Sequence, residues 1–281
     1  MGHGIAGIDH PVVAVADLGR ARDRFARLGF VTTPRRRFQN WGTANHAVMF
    51  ADDYIELLGI VDRSAFLTPG LADFLAVGEG IMAVTMRGND VAAAHTALAA
   101  DGYQPTAPSE TTIHVEDPGG PIPQSFRWFR IGAKTPDLYL MVVQPLRPEN
   151  MRRPAWLAHP NSAYAVTGVT VVVANPAELR AAYEALFAAS AAPEPDGSFA
   201  IASGHGTFRF VTRVRFTGDF PSLDPAPGRP VPTIAALAVG VRDLAVARRV
   251  LAANGVVFAD RGSQLVVPPE AAGGFVLTLG A

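Results

Sequence analysis

No cysteine occurs in the 281-residue sequence, which excludes disulfides, thiolate metal sites and a cysteine nucleophile together. Any metal would have to rest on histidine, carboxylate, amide or water. Charge is also sparse: the formal net charge is -1 and the basic residues are scattered, so no phosphate-neutralising surface for nucleic acid is written into the chain. A small, roughly neutral partner fits better. No apolar run approaches the roughly 18 residues of a membrane span. The start, MGHGIAGIDH, lacks a basic segment followed by an apolar stretch and a cleavage site, because Asp9 and His10 interrupt the apolar pattern early. The expectation is a cytoplasmic protein with a small-molecule ligand or substrate and neither nucleic-acid nor membrane partners.

What is present is a repeat. Ile8 to Ala16 is an apolar, β-branched run of strand length. Asp17 then caps a helix from Leu18 to Leu28, where Leu18, Ala21, Phe25 and Leu28 recur at helical spacing, and Gly29 ends it. Val31 to Phe38, Ala44 to Phe50 and Tyr54 to Ile60 follow as strands, the last two joined by Ala51-Asp52-Asp53. The unit is βαβββ. Asp90 and Gly102, then Asp243 and Gly255, repeat the 12-residue interval from Asp17 to Gly29, each Asp following an apolar strand. A fourth, degraded copy starts at Thr167, with Asn175-Pro176 at the cap. The second copy runs from Ile81 to Val143, with strands at 111–115, 126–131 and 138–143 and a long loop, EDPGGPIP. The length suits two domains: residues 1–145 with the candidate site, a proline-rich connection at 146–163, and a degenerate second domain at 164–281.

Paired βαβββ modules, a first strand opening with GIDH and a module closing with YIELLG resemble the vicinal oxygen chelate superfamily, which includes glyoxalase I, fosfomycin-resistance enzymes, bleomycin-resistance proteins and extradiol dioxygenases. GIDHPVVAV, NWGTANHAVMF, YIELLGI and RPAWLAHPN are similar to its glyoxalase-like branch. The C-terminal half resembles the family through its repeat alone. The resemblance implies an α+β fold of modules paired into U-shaped, partly closed β-barrels, with a divalent metal (Mn, Fe, Ni or Zn) in the concavity. It also implies metal ligands from each module's first and last strands, which places His10 and Glu56 in those roles. The second module departs from the pattern: Ala83 stands at the His10 position, and Leu140 or Met141 at that of Glu56. Gly168 and Ala236 stand at the His10 position in the other copies, and the final strand, FVLTLG, has no carboxylate. Two protein ligands are visible where a catalytic zinc normally takes about three plus water.

Each candidate also has a plainer role. His10 is a metal ligand, a general base or a core histidine with its ring N–H satisfied by a carbonyl. Glu56 coordinates, transfers a proton or faces out, since burying an unpaired carboxylate costs several kcal/mol. If Phe50 pairs with Tyr54, His46 pairs with Leu58 and Val48 with Glu56; His46 then shares the face of Glu56 as ligand or proton carrier, and Asn45 faces away. A one-residue shift reverses this. Trp41, Trp128 and Arg130 are candidates for the pocket wall and anion recognition, against simple core filling. Arg35, Arg36 and Arg37 alternate sides, two solvated and one free to hold a carboxylate. Gln144 is a further candidate donor, His114 and the glycine loop after it a candidate mouth and lid, and His159 a site or turn residue.

Two functions compete. One is a metal-dependent lyase or isomerase of glyoxalase type, acting on a small oxygen-rich carbonyl compound, with Glu56 and His46 moving the proton. The other is a non-catalytic binding or sequestering protein of bleomycin-resistance type. A third reading confines the site to the N-terminal domain and makes the C-terminal one a structural or homodimer-forming partner. An extradiol dioxygenase is disfavoured, because its ligands lie in the later modules.

Overall fold

The structure, a computed structural model, describes residues 2–38, 40–223 and 229–281. The first module is β1 (Ile5–Ala14), α1 (Leu18–Arg27), β2 (Arg36–Phe38), β3 (Thr43–Met49) and β4 (Tyr54–Ile60). A short helix, α2 (Leu71–Val77), leads to the second: β5 (Gly80–Gly88), α3 (Val91–Ala100), β6 (Ser109–Val115), β7 (Ile122–Arg130) and β8 (Leu140–Pro145). After α4 (Pro154–Leu157), the third module is β9 (Ala163–Val172), α5 (Pro176–Phe187), β10 (Ala192–Pro193), β11 (Phe199–Ala202) and β12 (Thr207–Val211). Following α6 (Arg213–Asp219), the fourth is β13 (Thr233–Val241), α7 (Leu244–Ala253), β14 (Ala259–Asp260), β15 (Gln264–Val267), α8 (Pro269–Ala272) and β16 (Val276–Gly280).

In every module the first strand runs parallel to the last. The helix between them supplies the crossover a parallel pair needs. The first strands of modules one and two pair antiparallel, as do those of three and four. In the N-terminal half β2 also pairs with β6, which closes the ring β1-β4-β3-β2-β6-β7-β8-β5. The C-terminal eight strands run β10-β11-β12-β9-β13-β16-β15-β14 and stay open among the described residues.

The repeated Asp-to-Gly interval is a pair of helix ends. Asp17 accepts from the Arg20 N–H, Asp90 from those of Ala92 and Ala93, and Asp243 from those of Ala245 and Val246. Each satisfies amides that the first helical turn leaves free. Gly29 ends the first helix at φ 85°, in the left-handed region that glycine enters without cost. In the degraded copy the Asn175 amide donates to Glu178 and caps nothing; α5 runs on to Phe187 and ends on Ala188 at φ 45°.

Two strand boundaries differ most from expectation. The strand expected over 31–38 survives as Arg36–Phe38, because Pro34 lacks an N–H for the ladder and Thr33 is engaged with Ala47 by backbone and hydroxyl. β7 begins at Ile122, not Phe126, because residues 116–121 make a tight turn that pairs Val115 with Ile122. The proline-rich connection packs against the first module: Trp156 and Met151 cluster with Ala47, Met49 and Tyr54. His159 accepts from the Val31 N–H and donates to the Met49 carbonyl.

The two halves meet on the strands that carry the candidate site. The His205 backbone pairs with β1 on both sides of Gly7, where a Cβ would lie 2.2 Å from the His205 nitrogen. Only glycine fits this approach. The His205 ring meets the fully buried Asp53 at 2.5 Å, and the Val166 N–H donates to the other carboxylate oxygen. Burial holds the Asp53 carboxyl above its ordinary range, and that carboxylate holds the His205 imidazole above its own.

Candidate functional site

Alternation along the barrel strands sends one set of side chains inward. They enclose a cavity of ≈ 330 Å³, at the lower end of the range for small-molecule sites. Its wall is apolar and aromatic: Val12, Leu58, Met82, Ala83, Met141 and Val143, with Phe126, Trp128 and Tyr139. Thr68, Pro69 and Gly70, leading into α2, border it on one side. Trp41 also lines it, stacked on Phe38 at 4.9 Å and met edge-on by the exposed Phe66 at 5.1 Å.

One part of the cavity is polar. His10 Nδ1 donates to Asp9 Oδ1 at 2.7 Å, which leaves the Nε2 lone pair of the neutral ring toward Tyr54 Oη at 3.3 Å and Glu56 Oε2 at 3.7 Å. The Tyr54 ring stacks on His10 at 4.2 Å. Burial pushes the Tyr54 phenol well above its ordinary range, so it stays protonated and donates. Glu56 is held by the Asn45 amide, whose oxygen accepts from Arg36 Nε at 2.5 Å. Arg36 is 1% exposed. Its Nη1 donates to Gln124 at 3.3 Å, its carbon lies 5.1 Å above the Tyr54 ring, and its Nη2 approaches Glu56 at 3.8 Å without a hydrogen bond. A buried guanidinium is thus offset by a buried carboxylate through an amide between them. Arg36 Nη2 and Thr85 Oγ1, both on cavity-lining residues, have no hydrogen-bond partner.

A family model described as "Glyoxalase-like domain" matches residues 8–187. The chain belongs to this family. Three solved structures share the fold of this glyoxalase-like protein. A hypothetical protein from Staphylococcus aureus is 12% identical, with a TM-score of 0.68 over 97% of this chain and 98% of that one. A mutant of 4-hydroxymandelate synthase from Streptomyces coelicolor is 14% identical, with a TM-score of 0.61 over 99% and 94%. A xylose isomerase-like TIM barrel/4-hydroxyphenylpyruvate dioxygenase fusion protein is 15% identical, with a TM-score of 0.59 over 98% of this chain and 49% of the fusion. No curated protein matches the sequence. No helix among the described residues is long and apolar enough to cross a membrane.

Of the candidates read from the glyoxalase-like sequence, His10, Glu56, Trp41 and Trp128 meet in the cavity. His46 does not. The β3–β4 register pairs Ala47 with Glu56 and His46 with Leu57, one residue from the register assumed above. His46 therefore points to the opposite face and donates from Nδ1 to the Thr33 carbonyl at 2.9 Å; burial holds its ring below the ordinary imidazole range. Asn45 takes the inward place. Arg130 is exposed, lying 5.7 Å from the ring of Tyr139, outside the cavity. Gln144 accepts from the Val91 N–H at the start of α3. His114 pairs on the ladder with Arg37, and the glycine loop after it borders a separate surface recess. Arg35 and Arg37 meet Glu116 in solvent, and Arg36 is the one turned inward.

Sequence reasoning missed Asp9, Asn45, Tyr54 and Thr85. Asp9 next to His10 was a readable signal, since a carboxylate beside an imidazole fixes its tautomer. Thr85 carried none.

The donor set falls short of a resident divalent metal. Val12 pairs with Glu56 and Thr85 with Met141, so the second module offers Ala83 and Met141 where the first offers His10 and Glu56. The described residues hold no group of three His, Asp or Glu suited to a metal. The guanidinium of Arg36 already stands beside the one carboxylate. A catalytic zinc takes about three protein ligands, and two are here.

Proposed function

We propose that the N-terminal barrel of this glyoxalase-like protein binds a small, largely apolar carbonyl compound and moves a proton on it, as a lyase or isomerase whose base is His10. The observation that carries the reading is the Asp9–His10 hydrogen bond, which presents an unprotonated Nε2 to the cavity, beside Glu56 and within reach of the Tyr54 hydroxyl. In the first step Nε2 takes a proton from the carbon next to the carbonyl. The C–H pair becomes the carbon–carbon double bond, and the carbonyl pair moves onto oxygen. Asp9 stabilises the imidazolium, and returning the proton to a different atom completes an isomerisation. The apolar wall excludes water from the reacting centre.

The test is exchange of the methyl protons of 2-acetonaphthone in D₂O, followed by NMR. Exchange above the buffer rate is expected with wild type, falling by about two orders of magnitude or more in His10→Gln while binding persists. A second reading, sequestration without turnover, draws on Ala83 and Met141 at the second module's positions. Binding without exchange in wild type would select it.

A further inference from the structure

Among the described residues, three buried polar side-chain atoms have no hydrogen-bond partner; Asp9 Oδ2 lies behind His10 and faces Arg87, and the two on cavity-lining residues say what the guest must carry, on the reading that the cavity binds a carbonyl compound. Arg36 and Thr85 are each 1% exposed, and each lines the cavity. A buried donor left unsatisfied has given up its hydrogen bond to water without replacement. Thr85 is the cross-strand partner of His10, so its hydroxyl lies beside the imidazole on the same inner face. Arg36 Nη2 stands next to Glu56. The unsatisfied donors therefore flank His10 and Glu56, where a ligand oxygen would be held during proton transfer.

Charge narrows the class. Arg36 is the one cationic side chain among the residues lining the cavity, and Glu56 the one carboxylate. Asp9, behind His10, faces Arg87 at 3.8 Å. With His10 neutral the cluster sums to zero. An anion drawn to Arg36 would also meet the Glu56 carboxylate, 3.8 Å from the guanidinium. An uncharged acceptor oxygen meets the two open donors and incurs no such repulsion. We infer that the cavity selects an uncharged carbonyl compound over the corresponding acid, with Arg36 and Thr85 as the residues that receive its oxygen.

The test compares 2-acetonaphthone, 2-naphthoate and 2-methylnaphthalene by calorimetry at pH 8, with wild type, Thr85→Val and Thr85→Ser. The ketone is expected to bind at least about tenfold more tightly than either of the others. Thr85→Val, which removes an unsatisfied hydroxyl at constant volume, is expected to melt higher than wild type. It is also expected to bind the ketone about fivefold more weakly and the hydrocarbon unchanged. Thr85→Ser restores ketone binding. A merely structural threonine would move the melting temperature and leave the ratio of ketone to hydrocarbon alone, which overturns the assignment. Tighter binding of 2-naphthoate overturns the charge argument and leaves the cavity a small-molecule site. Failure of all three to bind removes the carbonyl-binding reading together with it.

Discussion

Glu56 and Arg209 occupy the same place in two copies of one module. Each pairs, across the parallel first and last strands, with the residue five before the helix cap: Val12 with Glu56, Thr170 with Arg209. Their surroundings differ in what satisfies them. Arg209 makes two hydrogen bonds to Glu194, at 2.7 Å each, and one to Asp219 at 2.6 Å. Arg215 joins both carboxylates. Asp219 comes from α6, whose Phe216, with Phe220 just beyond, clusters with Val172, Val211 and Val276; Arg209, Asp219 and Phe220 line a recess on the C-terminal sheet, the second concavity. The second concavity thus meets its own polar demand with its own helix. The first is closed by β2 pairing with β6 and still holds two donors without acceptors. The two clefts differ in whether a neighbouring segment completes their polar pairing.

The largest expected effect comes from removing each arginine. Arg36→Ala leaves Glu56 buried without its counter-charge and empties a fully buried volume, at a cost of about 3–5 kcal/mol. Arg209→Ala breaks a network whose side chains are 20–37% exposed, where solvent screens the loss, and is expected to cost about 1–2 kcal/mol. Chemical denaturation of the two variants measures the contrast. Equal losses would mean that the second network is as dry as the first.

A smaller effect separates the two flanks by pH. His159 is buried neutral and its ring is held below the ordinary imidazole range by that burial. Its contribution is present above about pH 6.5 and is lost as pH falls through the lowered value, because the unfolded chain then binds the extra proton. His205, raised by Asp53, has the opposite sign: its contribution is full below about pH 6.5 and is lost as pH rises through the raised value. Melting temperatures from pH 5 to 9 should therefore fall on both sides of neutrality. His205→Gln should flatten the alkaline limb alone; an unchanged alkaline limb would refute the junction's role.

The smallest contrast is between helix caps. Asp17→Ala should cost about 1 kcal/mol and Asn175→Ala much less, since the Asn175 side chain caps no backbone amide. Thermal melts of the two variants decide it.

How far the sequence carried follows from the same physics. The modules were legible because their marks are local: a cap, a glycine 12 residues on and an apolar strand before them. His10 and Glu56 were legible as chemistry out of place in apolar strands. His46 was not, because one residue of register, set by how β3 meets β4, exchanges every inward side chain for its neighbour. Asn45, Arg36 and Thr85 gain their roles from contacts across strands that local pattern does not encode. Closure of the first barrel rests on Arg36–Phe38 meeting Ile113–Val115, a pairing between segments some 77 residues apart.

The buried Asp53 has a consequence in time. Its partners, Val166 and His205, lie 113 and 152 residues downstream, so during synthesis the strand that starts at Tyr54 precedes the groups that neutralise its neighbour. The cavity wall of the N-terminal barrel then waits on the third module before it can set. A ribosome-tethered chain halted after Ala163 should stay protease-sensitive around β4, and one halted beyond β12 should not. Early protection would show that the barrel matures unaided.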